Sequence, residues 1–117
     1  MKQSGQVVLL RFPQADLEAG KLRPVLMLAQ LPGEHADWLV CMISTQMRHS
    51  VPAFDEIIRE SDPDFRASGL KVASVVRIGR LAAVEADTLV GSIGNIAPDR
   101  LRRIRRHLAD WIGAEHD

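Results

Sequence analysis

The sequence predicts a mainly β domain closed by one C-terminal helix, its strands forming a small barrel or a curled sheet. Three observations predict it. Short apolar, β-branched runs recur between glycine- and proline-marked turns, the spacing of strands in a compact β body. A 3.6-residue period governs only the C-terminal end of the chain. At 117 residues, 46% of them hydrophobic, the chain can bury one unstapled core, so residues 1–117 are read as a single domain.

Gln6 to Phe12 is apolar and β-branched at its start and reads as the first strand. Pro13 to Gly20 is a polar connection, with Gly20 in a tight turn. Pro24 drives Arg23 into an extended conformation and is itself acceptable at a strand's first residue or on an edge. Val25 to Ala29 is then the second strand, with Arg23 held stiffly at its mouth. Leu31 to Glu34 closes that strand with a turn, and Trp38 to Ile43 is the third, leaving through Ser44-Thr45-Gln46. Val51 to Ile58 alternates weakly, with Ile57 and Ile58 opening either a strand or a helical turn. Glu60 to Ala67 reads as loop, its Asp62 and Asp64 solvated. Val72 to Ile78 is the strongest strand signal, Leu81 to Leu89 fits a strand or a short helix, and Gly91 and Gly94 bracket a turn.

The closing helix spans about 98–113. Pro98 suits its first position, and Asp99 complements the positive end of the dipole. Leu101, Ile104, Leu108, Trp111 and Ile112 share one face. Arg100, Arg102, Arg103, Arg105 and Arg106 hold five of the fifteen basic residues and read as a solvated face whose stems shield the core. Cys41 belongs to the core, and Trp38 and Trp111 to the core or a dimer contact and not to a base-stacking platform.

Composition narrows the function. Formal net charge is zero, so any polyanion site must be local. A single cysteine agrees with a reducing cytoplasm; no stretch is long enough to span a bilayer, and no signal-peptide pattern opens the chain. The four histidines are scattered and no metal motif or phosphate loop is present, so neither metal nor cofactor is expected. What remains is a set of polar groups at strand ends: Arg23, Ser44 and Thr45, Arg77 and Arg80. Three arginines and two hydroxyls suit a phosphodiester. RNA can be cut without a metal, because its 2′-OH is a built-in nucleophile and the protein need only align it and stabilise developing charge.

Four stretches, in register over nearly the whole chain, resemble the MazF/PemK toxin endoribonucleases. Gly20-Lys21-Leu22-Arg23-Pro24 is similar to that family's glycine-x-x-arginine-proline strand entry, and Ser44-Thr45-Gln46 to the exit of its third strand. Gly69 to Arg77 resembles its Ser-Val-Val-Arg strand, and Gly94 to Ile112 its closing turn and helix. The resemblance implies a small SH3-like barrel of the MazF/PemK/CcdB-type toxin fold and a cytoplasmic homodimer. It also implies metal-independent, sequence-specific cleavage of single-stranded RNA, and neutralisation by a cognate antitoxin with an acidic tail. By position it gives Arg23, Ser44, Thr45 and Arg77 catalytic places, with Lys21, Gln46, His49, Ser74 and Arg80 binding substrate. Serine stands where the family usually has threonine. Some members carry an aspartate base two residues past Arg77, where this chain has Gly79. His49, with a near-neutral ordinary pKa, is the candidate replacement, and Glu18 a weaker one. Two alternatives stay open: a member that binds without turnover, and a non-enzymatic toxin of the same fold that poisons DNA gyrase. Trp111-Ile112-Gly113 loosely resembles the ending of the gyrase poisons, but the tail to Asp117 and the Arg23-Pro24 pair argue against them.

Overall fold

The computed structural model describes residues 2–11 and 21–116. The expected connection Pro13–Gly20, with its turn at Gly20 and with Glu18, lies outside them, as does Phe12. The strands are β1 (Gln6–Arg11), β2 (Leu22–Gln30), β3 (Asp37–Ser44), β4 (Glu56–Ile58), β5 (Ser74–Glu85) and β6 (Leu89–Asn95), and the helices α1 (Phe65–Ser68) and α2 (Pro98–Gly113). All six strands form one antiparallel sheet in the order β4-β5-β3-β2-β1-β6.

The central strands β1, β2 and β3 bury both of their faces, whereas β6 is exposed along most of its length. On β1, β2 and β3, Val7, Leu26, Leu28, Cys41 and Ile43 point into one apolar cluster, which α2 covers with Leu101, Ile104 and Leu108. The alternate residues Val8, Leu10, Val25, Met27, Trp38 and Val40 build a second cluster on the opposite face. The period-two alternation of strand side chains therefore explains why the runs read as continuously apolar. Cys41 is fully buried, and burial, with Asp55 adding to it, pushes its thiol up to about 12.

The sheet is open, the curled sheet of the two forms expected and not a closed barrel: β4 and β6 are its edges. β4 has only three residues, and the turn of α1 that follows packs on β6, so the sheet must curl to bring its two edges together. There they meet backbone against backbone. A Cβ at Gly94 would strike the Ala67 and Ser68 carbonyls, and one at Gly69, which ends α1 in the left-handed region, would strike the Ile93 carbonyl. Gly91 and Gly94 thus lie inside β6 and do not bracket a turn; Gly94 marks a close approach. Arg23 and Pro24 are likewise inside β2, opposite Leu10 and Leu9. Proline fits there because pairing with β3 begins only at Val25. The ambiguous stretch from Leu81 splits, its first part continuing β5 and its end opening β6. Trp111 is 48% exposed and rests edge-on against Phe54, so the apolar stripe of α2 leaves the core after Leu108.

Asp62 and Asp64 are not solvated loop charges. Asp64 is buried and takes a two-pronged contact from Arg100, at 2.8 Å from Nε and 2.9 Å from the terminal guanidinium nitrogen. Arg100, itself buried, also reaches Asp62 (2.9 Å), Glu56 (3.1 Å) and the Ile57 carbonyl (3.0 Å). Asp64 in turn accepts the Ala97 N–H ahead of α2. The arginine face of α2 is therefore divided: Arg102 and Arg106 are exposed, Arg105 donates to the Leu28 carbonyl, and Arg100 is a buried strut. Arg100 hydrogen bonds hold Asp64 below its ordinary value against opposing burial; the Arg59 N–H, then Arg100, does so for Asp62.

Removing one partner from a buried ion cluster strands the others, at about 3–5 kcal/mol. Arg100→Leu should therefore lower unfolding free energy in urea by about that amount. Because the folded aspartates sit below their ordinary 3.8, their contribution is present above that pH and lost as pH falls through the folded values. Denaturation midpoints taken from neutral pH downward should show that acid loss in the parent and much less of it in Arg100→Leu.

Candidate active site

The antiparallel count carries three polar residues to one end of the second apolar face. Val25 pairs with Met42, so two residues further Arg23 comes level with Ser44; Met42 also pairs with Arg77. Side chains directly opposite share a face. Arg23, Ser44 and Arg77 accordingly continue the Val25 and Met27 side of the sheet and line one cleft of about 770 Å³. Polar groups gather here because the apolar run ends while the face goes on.

Beyond Ser44 the chain turns back at once. The 3-10 turn Met47–His49 closes through His49 N–H to the Gln46 carbonyl (2.9 Å) and Ser50 N–H to the Met47 carbonyl (3.0 Å). That places His49 Nδ1 2.9 Å from Ser44 Oγ, while the Gln46 N–H donates to the same oxygen at 3.0 Å. The Gln46 side chain accepts from Arg48 at 3.2 Å. Half-buried His49 is held below its ordinary 6.5 by desolvation first, then by the positive fields of Arg77, Arg48 and Arg80. It is therefore neutral at neutral pH, with one ring nitrogen committed to Ser44 and the other available.

Arg23, Ser44, Thr45, Gln46, His49, Ser74 and Arg77 all line the cleft; Lys21 and Arg80 do not, although Arg80 acts on His49 through its charge. Ser74 is 1% exposed and donates to the Val72 carbonyl, so it shapes the wall and offers little to a ligand. Gly79 lies outside the cleft, with the Phe54 ring 3.4 Å from where its Cβ would stand. Sequence reasoning did not nominate Lys71 or the apolar wall of Leu9, Leu70, Val72 and Ile93. Lys71 sits between the α1 connection and β5, where no periodicity marks it; its place beside the strongest strand was the one available signal. Among the described residues the cleft is lined by three cations, Arg23, Lys71 and Arg77, and by no carboxylate. Such a donor set suits an anion such as phosphate and is unlike the oxygen cage of a hard cation. Among the described residues no three His, Cys, Asp or Glu side chains cluster as metal ligands.

The described residues thus form a six-stranded open sheet with one covering helix and a cationic cleft at the sheet's end. Residues 3–112 match the family described as PemK-like, MazF-like toxin of type II toxin-antitoxin system, and the chain belongs to that family. Its fold is similar to MazF from Deinococcus radiodurans at 22% identity and TM-score 0.68, over 97% of each chain. The Mycobacterium tuberculosis toxin MazF-mt6 is similar at 18% identity and TM-score 0.67, over 95% of this chain and 99% of that one. An endoribonuclease from Mycobacterial species, solved in complex with its cognate antitoxin, aligns over 100% of both chains at 20% identity and TM-score 0.66. No curated protein matches the chain.

A nuclear magnetic resonance titration of the free protein should place the His49 midpoint below 6.5. Arg77→Gln removes the largest of the charges acting on it, so the midpoint should rise. A midpoint unmoved by that change would place Arg77 away from the imidazole.

Proposed function

We propose that this chain is a metal-independent, sequence-specific endoribonuclease that cleaves single-stranded RNA by attack of the 2′-OH on the adjacent phosphodiester. The observation that carries this reading is the hydrogen-bonded Ser44 and His49 in a cleft that also holds Arg23 and Arg77. With His49 Nδ1–H donated to Ser44 Oγ, Nε2 keeps its lone pair as the base for the 2′-OH. Ser44 then accepts from both Gln46 and His49, and its own hydrogen is aimed at a phosphoryl oxygen. Arg23 and Arg77 carry the charge that grows on the phosphoryl oxygens, and Lys71 adds to the field. The 2′-oxygen–phosphorus bond forms as the 5′-oxygen–phosphorus bond breaks, and the imidazolium or solvent returns a proton to the leaving oxygen. The products are a 2′,3′-cyclic phosphate and a free 5′-hydroxyl.

His49 in this scheme supplies the base that Gly79 cannot. Thr45 and Gln46, exposed at the rim, bind RNA. The protein acts in the cytoplasm as a homodimer, and no helix among the described residues is long and apolar enough to cross a membrane. A cognate antitoxin, such as the one bound to the mycobacterial endoribonuclease, inhibits it by laying an acidic segment over the cationic cleft.

With chelator present, purified protein should cut single-stranded RNA and leave DNA of the same sequence intact, since DNA lacks the 2′-OH. Arg23→Ala should lower kcat by roughly 10²–10³ while the far-ultraviolet spectrum is kept. The rate should fall as pH drops through the depressed His49 value, because protonation removes the base. In His49→Ala that acidic limb should vanish along with most of the activity. Retention of both would assign the base elsewhere.

A further inference from the structure

Asp55 lies outside the cleft, immediately ahead of β4, and its carboxylate joins two elements that each carry a cleft residue. Oδ2 accepts the Val51 N–H at 2.9 Å, two residues past His49. Oδ1 accepts the Ile78 N–H at 3.0 Å, on the residue after Arg77. Both acceptors are needed. On β5, Arg77 faces Met42 and Leu81 faces Cys41, so residues 78–80 bulge out of the ladder with no partner on β3. The Ile78 N–H would otherwise be orphaned beside a fully buried side chain, a cost of about 1–3 kcal/mol. The turn after His49 is strained, and its own backbone bonds leave the Val51 N–H to the Asp55 carboxylate. It passes through Ala53 at φ 68°, a left-handed conformation unfavourable for a residue with a side chain, and closes on the Val51 carbonyl through Phe54 and Asp55 N–H groups.

We infer that Asp55 is a positioning residue, a two-armed strut that fixes the distance between the His49 turn and the Arg77 strand and so keeps the imidazole against Ser44. For its effect on cleavage this inference rests on the reading of His49 as the base; the strut itself does not. The groups that face His49 are Ser44 on β3, Arg77 and Arg80 on β5, and Arg48 on its own turn. Loosening the strut lets the imidazole drift from these cations towards water. The direction of the resulting change discriminates. Deleting the Asp55 negative charge acts on His49 only by lowering its pKa further, whereas drift away from the arginines raises it.

The test follows the His49 ring signals through pH in free parent, Asp55→Asn and Asp55→Ala proteins, with thermal unfolding in parallel. The midpoint should move up towards 6.5 in Asp55→Asn, which keeps one acceptor oxygen, and further in Asp55→Ala. If Asp55→Ala does not fold, Asp55→Asn carries the comparison. A midpoint unchanged or lowered in a folded variant overturns the inference, whatever its melting temperature. Cleavage supplies a second arm. Asp55→Asn should lower kcat about tenfold in the parent but not in a His49→Ala background, because the group being positioned is gone. An equal drop in both backgrounds overturns the positioning role. Parent-like cleavage by His49→Ala overturns the catalytic reading of His49 instead and leaves the titration to judge the strut.

Discussion

The buried guanidinium of Arg100 is the contact that the rest of the structure depends on. It projects from the first turn of α2 and draws in Glu56 from β4 and Asp62 and Asp64 from the connection after it. The short edge strand, the α1 turn and the covering helix are thereby tied into one corner. That corner sets where Gly69 meets Ile93, and the segment from Gly69 to Val72 is one rim of the cleft. A charge cluster of this kind is stable only when complete. Every arm of Arg100 has an acceptor, and among the described residues no buried side-chain nitrogen or oxygen lacks a partner.

The cleft follows from a second constraint, the alternation of side chains on paired strands. One face of β2 and β3 is apolar as far as Val25 and Met42 and polar from Arg23 and Ser44 onward, so the catalytic candidates are an extension of the core and not an addition to its surface. Rigid ladders hold Arg23, Ser44 and Arg77, whereas His49 hangs on a short turn. In the proposed reaction this arrangement would keep the anion clamp in place while the proton-transfer group is adjusted by its surroundings. Desolvation and three neighbouring arginines bias the imidazole towards its neutral form without any carboxylate in the cleft.

Strand existence was legible from apolar runs between turn residues, and α2 from its stripe and Pro98. Ser44 to Gln46 and Arg77 were legible as polar punctuation at strand ends. Errors cluster where a residue's role depends on a distant partner. Gly94 read as a turn because glycine usually is one, yet it is required by the backbone of α1 on the opposite edge. Asp62 and Asp64 read as solvated because their cation lies more than thirty residues away. Pro24 read as the strand's start because one-sided pairing cannot be seen in a sequence. Lys71 and the apolar rim carry no local signal at all.

By itself the sequence determined the place and order of four strands, β1, β2, β3 and the start of β5, the amphipathic face of α2 and the polar residues that end the runs. These are set by local periodicity and by backbone preferences of proline and glycine, which act within a few residues. Only the tertiary structure decided that the sheet stays open, that Arg100 is a strut and not a surface charge, and that His49 stands on Ser44. Those outcomes depend on register and on long-range pairing of charges, where a guanidinium or an imidazole takes its role from whatever the fold brings against it.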